Sequence, residues 1–104
     1  MTTRPVRFLQ AFFDDLDAQL PEERTDDGTP SATDFLLHDL PRLRDLLALN
    51  FEHSTLPTPG GEPVRVLIQA GTLVRSAALY AIEAHSGEIV VIGLELDVSQ
   101  DKDS

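Results

Sequence analysis

The hydrophobic pattern of this chain changes period once, near its middle. Between residues 6 and 49 apolar side chains recur every three or four positions, and between residues 64 and 98 they recur every second position. The first period belongs to helices buried along one face, the second to half-buried strands. Helices first and strands second make an α+β domain, in which the helices cover an antiparallel meander. A chain of 104 residues holds one such core rather than two. The expected organisation is a single α+β domain over residues 1–98 and a disordered tail, SQDKDS, at 99–104.

In the first half, Val6, Leu9, Phe13, Leu16 and Leu20 form one stripe, widened by Phe12, with Asp14, Asp15 and Asp17 on the wet side. That is an amphipathic helix. Its start allows two readings. Pro5 suits a first helical position behind a Thr3 cap, whereas Val6, Phe8 and Leu9 suit a short strand, with the helix beginning near Gln10. Pro21 ends the helix, and Glu23 to Ser31 is a polar loop interrupted by Gly28 and Pro30. Ser31 or Thr33 caps the next helix, and Asp34 stands three residues after Ser31 in capping-box spacing. Leu36, Leu40, Leu43 and Leu47 form its stripe, broadened by Phe35, Leu37, Leu46 and Leu49. Pro41 interrupts this run, removing a ladder hydrogen bond and crowding the preceding turn. A kink, or two short helices with Asp39 capping the second, is expected there.

A turn-rich connection, HSTLPTPGGEP, leads into the second half. Pro63 to Gly71 reads as a strand with Val64, Val66 and Ile68 on one face, and Leu73 to His85 as a second strand, although its alanines would also tolerate a helix. His85-Ser86-Gly87-Glu88 forms the turn, Gly87 supplying the positive φ that hairpins require. In the third strand Val90, Ile92, Leu94, Leu96 and Val98 form one continuous apolar face. Two helices, with an optional short first strand, are therefore expected on an antiparallel sheet of three to four strands.

Charge restricts function more than any motif does. Eight Lys plus Arg stand against eighteen Asp plus Glu, a net charge of −10, and Lys102 is the only lysine. Nucleic acid is held through several cationic phosphate contacts, and the overall field here repels it and anionic lipid alike. The absence of cysteine excludes disulfides and thiolate chemistry and fits a cytoplasmic setting. No apolar run approaches the ~20 residues of a membrane span, and MTTRPVRFLQAFFDD lacks the apolar core of a signal peptide. No cofactor motif is present: PGGEP lacks the Gly-Lys-Ser/Thr ending of a phosphate loop, and there is no G-x-S-x-G. Asp34 and His38 are spaced to face one metal, but His38, His53 and His85 bring no further ligands at suitable spacing, and no metal site is expected.

The order of elements resembles that of the RelE/ParE toxin superfamily of bacterial toxin–antitoxin systems. VRFLQAFFDDL resembles its opening strand running into the first helix. PVRVLIQAG followed by LVRSAALYAIEAHSGEIVVIGLEL resembles its strand with a basic residue, its strand preceded by arginine and carrying an aromatic, and its final apolar strand. The resemblance covers about residues 4 to 97. It implies, in an active member, a metal-independent endoribonuclease acting on ribosome-bound mRNA, with Arg65 and Arg75 holding phosphate and Tyr80 assisting as the catalytic group. Where the family continues with Lys, Arg, His or Tyr after its last strand, this chain has Glu95, Asp97, Ser99, Gln100 and Asp101. Acids there oppose stabilisation of charge on a transferring phosphate, so the resemblance implies a domain that binds a protein target or antitoxin partner. A second reading from the charge alone is an acidic interaction or inhibitor module, of immunity or nucleic-acid-mimic type, for a basic protein. A third is a homodimer formed through an exposed sheet edge.

Overall fold

Residues 3–26, 28–59 and 63–97 are described by the computed structural model. The elements run β1 (Val6–Phe8), α1 (Gln10–Gln19), α2 (Ala32–His38), α3 (Leu40–Ser54), β2 (Leu56–Pro57), β3 (Arg65–Ala70), β4 (Ser76–Glu83) and β5 (Ile89–Asp97). The architecture is α+β, as expected. In detail it has three helices and a mixed five-stranded sheet, where two helices and an antiparallel sheet of three to four strands were expected. Strand order is β1-β5-β4-β3-β2, with β1 parallel to β5 and every other pair antiparallel. The expected tail at 99–104 and the Gly60-Gly61 turn lie outside the described residues.

Each difference has a local cause. Of the two readings of the opening residues, the strand is the one adopted. Leu9 keeps extended backbone (φ −79°, ψ 161°) and serves as N-cap of α1. Pro41 is accommodated by a break between α2 and α3. It occupies the first turn of α3, where a missing N–H leaves no ladder bond unmade. Asp39 stands at the N-cap position as expected, but its side chain makes no cap bond and reaches elsewhere. The extra strand, β2, pairs Leu56 with Val66 and Pro57 with Arg65. Two residues are too few to show a period, and Pro57 is tolerated because an edge strand needs no donor on its free side.

Local signals that rest on side-chain chemistry are realised directly. The Ser31 hydroxyl accepts from the Asp34 N–H at 3.1 Å, and the Asp34 carboxylate accepts from the Ser31 N–H at 2.9 Å. That backbone bond first, and Arg24 beside it, hold the Asp34 carboxyl down at about 2. At the β4–β5 turn Gly87 has φ 91°, and its N–H donates to the Ala84 carbonyl at 2.9 Å.

The core lies on one side of the sheet. Phe12, Leu16, Phe35, Leu43 and Leu47 from the helices meet Leu67, Leu79, Ala81, Ile89, Val91 and Leu94 from the strands. Each such Phe, Leu, Ile or Val side chain contributes roughly 1.5–3 kcal/mol on burial. The structure sets which face of the meander the helices cover, and it corrects the expected run of β5. In β3 the residue buried under the helices is Leu67, opposite Leu79, so Val66 and Ile68 point to the other face. In β5 the continuous stripe expected from Val90 to Val98 is broken by a bulge: Ala81 pairs with Val91, Tyr80 with Gly93, and Ile92 is skipped. An inserted residue inverts the alternation, so Ile89 and Val91 face the helices before the bulge and Leu94 faces them after it.

Candidate interaction surface

The sheet is held rigid at two places by helix side chains. β1 is only three residues long and covers the edge of β5 as far as Val91, where the Leu9 N–H donates to the Val91 carbonyl at 3.0 Å. Beyond that point α1 takes over as a surrogate strand. Asp15 accepts from the Leu94 N–H at 3.0 Å. Gln19 accepts from the Leu96 N–H at 2.6 Å and donates to the Leu94 carbonyl at 2.8 Å. Asp15 and Gln19 are one turn apart, so both reach the same strand edge. At the far end, Asp39 is fully buried and accepts from the N–H groups of Thr72 (2.6 Å) and Leu73 (3.1 Å), clamping the β3–β4 turn beneath the α2–α3 junction. Arg42 donates to the Ala70 carbonyl at 2.8 Å beside it.

Arg65, Arg75 and Tyr80 do not converge. Arg65 pairs across from Ala81 and lies on the helix side of the sheet. Its Nε donates to the Thr55 hydroxyl at 2.7 Å, and its terminal nitrogen to the carbonyls of Thr55 (2.8 Å) and Glu52 (3.4 Å). It thus satisfies the orphan carbonyls at the end of α3, where a cation also suits the helix dipole. Tyr80 pairs with Val66 and Gly93 and points to the opposite face. Its hydroxyl donates to Glu95 at 3.0 Å, and that bond, with some burial, raises its pKa. Arg75 is exposed in the β3–β4 turn, five residues before Tyr80, which is roughly 16 Å along a strand. The three side chains thus have no common focus in this structure. Glu62, Glu83 and Glu95 are the carboxylates that the sequence puts within reach of the two arginines across the sheet. Of these, Glu95 meets Tyr80, Glu83 meets Arg4 at 3.0 Å, and Glu62 lies outside the described residues.

Two clefts flank the core. One, of about 220 Å³, is lined by Phe51, Pro57, Pro63, Val64, Arg65 and Glu83. The other, of about 310 Å³, is lined by Phe8, Leu36, Leu40, Pro41 and Arg44. Neither gathers a nucleophile with a base. Asp34 is occupied by its capping box, and among the described residues no three His, Cys, Asp or Glu side chains assemble as metal ligands. No described helix is long and apolar enough to cross a membrane.

What remains is the sheet face turned away from the helices. Register places Leu56, Val66, Ile68, Ala78, Tyr80, Ile82 and Val90 on it. Val66 and Val90 are buried, while Leu56 and Ile68 are 59% and 54% exposed. Glu95 and Asp97 lie exposed on the same side at the end of β5. A contiguous apolar patch rimmed by polar groups marks an interaction site more often than a catalytic one. Sequence reasoning missed this surface because Val66 and Ile68 carry the same apolar signal whichever face the helices cover. Comparison with protein families, with curated proteins and with solved structures finds no match.

Proposed function

We propose that this chain is a protein-binding domain of RelE/ParE-like pattern that engages a basic partner through its open sheet face and has no nuclease turnover. The observation that carries this reading is the apolar face of β3, β4 and β5, left uncovered by all three helices and edged by Glu95 and Asp97. The element order (an opening strand, helices, then a meander) is the pattern on which the resemblance rests. The acid excess selects a cationic partner through electrostatic complementarity.

Two measurements test the reading. Purified protein added to a bacterial cell-free translation reaction is expected to leave mRNA uncut. Codon-positioned cuts that vanish in an Arg65→Ala/Arg75→Ala double variant would overturn it. In affinity capture, basic proteins retained by the wild type are expected to elute with salt and to be lost with Tyr80→Asp. Retention by that variant would place binding elsewhere.

A further inference from the structure

We propose that the outer edge of β3, from Leu67 to Ala70, is a strand-addition site that takes an extended segment of a partner protein in which apolar residues alternate with Lys or Arg. This deepens the proposed function by naming the form of the partner. β2 pairs with β3 only at Arg65 and Val66, so the remainder of that edge has no strand beside it among the described residues. The direction of the backbone groups follows from the bonds on either side. The Gly71 N–H turns inward to the Arg75 carbonyl at 3.3 Å, whereas the Ala70 carbonyl turns outward and is met by Arg42. In an antiparallel ladder the N–H and C=O of one residue point the same way and neighbours alternate. The N–H and C=O of Ile68 and the N–H of Ala70 therefore face the open side.

Exposed apolar side chains flank this edge on both faces of the sheet. Ile68 and Leu56 stand on the open face. On the helix side Leu49, 53% exposed, lies seven residues after Arg42 and so on the same stripe of α3. A strand laid along β3 would bury all three, and natural edges left this open invite such pairing. Charge decides between occupants. A second copy would bring another −10 to the same place, which opposes self-pairing. A cationic strand is drawn by the overall negative field, and Asp45 and Glu52, which bracket Leu49 on α3, stay 61% and 63% exposed while pairing with Arg44 and Arg4.

The test titrates isotope-labelled protein with an acetylated octapeptide alternating valine and lysine, reading amide exchange by NMR. With peptide at about ten times its Kd, exchange of the Ile68 and Ala70 amides should slow about tenfold, while Gln69 changes little. A valine–glutamate peptide should have no effect. Ile68→Pro removes the outward N–H at an edge position that tolerates proline. It should abolish binding while the Leu67 amide stays protected. Shifts confined to Tyr80, Ile82 and Val90 without slowed exchange at Ile68 would overturn strand addition and leave the face-binding reading standing. No saturable binding, equal binding of the glutamate peptide, or concentration-dependent protection of Ile68 without peptide would each overturn it too, the last in favour of a second copy.

Discussion

Replacing Asp15 and Gln19 with alanine removes the surrogate strand on β5. The Leu94 N–H to Asp15 bond involves a carboxylate and is worth about 1.5–3 kcal/mol, and the two bonds between Gln19 and β5 are worth about 1 kcal/mol each. Asp15→Ala should therefore cost about 2 kcal/mol and Gln19→Ala about 2 kcal/mol. The double variant should fall short of their sum, because both side chains serve the same strand edge. Against a total stability on the order of 5–15 kcal/mol, the double variant loses a large share. The assay is urea unfolding followed by circular dichroism, in which an unchanged m-value with a lowered midpoint reports stability alone. Amide exchange at Leu94 and Leu96 should accelerate selectively, because those two donors lose their acceptors. Single variants within about 0.5 kcal/mol of wild type, with exchange at Leu94 and Leu96 unaltered, would refute the reasoning: water would then satisfy that edge as well as α1 does.

Three further outcomes are expected. Gly71→Ala should destabilise by about 1–3 kcal/mol, since its Cβ would stand 2.5 Å from both the Val74 carbonyl oxygen and Val74 Cγ2, and backbone cannot give way; an unchanged thermal midpoint would contradict the packing of that turn. Tyr80 is the only tyrosine and there is no tryptophan, so phenolate absorbance reports it alone. Its midpoint should lie above the ordinary 10.0 and move back down in Glu95→Gln, because the hydrogen bond to Glu95 favours the neutral phenol. Asp34, held at about 2 against about 3.9 in an unfolded chain, contributes stability that is fully present above about pH 4 and lost as pH falls towards 2. Asp34→Asn should flatten that part of the stability–pH curve, measured by urea midpoints across the range.

Part of this protein was legible in its residues. The change of hydrophobic period placed the helices ahead of the antiparallel meander, Ser31 and Asp34 carried their own capping chemistry, Gly87 marked its turn, and Pro41 called for a kink or a break. These signals are local, acting within one turn or one hairpin, and need no partner from elsewhere in the chain. What needed the tertiary structure was every choice between equivalent faces and every long-range satisfaction of a backbone group. Leu67 rather than Val66 and Ile68 faces the core because α3 lies on that side, a fact no period-2 pattern of apolar residues on both faces can encode. The phase inversion at Ile92 exists only in the pairing with β4. Asp15 reads as a solvated residue and Asp39 as a cap until the strand edge and the turn they serve are brought within about 3 Å of them, and Gln19 carries no signal of its own until Leu94 and Leu96 lie beside it. The separation of Arg65, Arg75 and Tyr80 has the same origin: strand alternation sends Arg65 and Tyr80 to opposite faces, and strand length carries Arg75 away. The sequence carried the α+β class and the longer elements but not β2 or the choice of a strand for β1, and packing decided which sheet face the helices left uncovered.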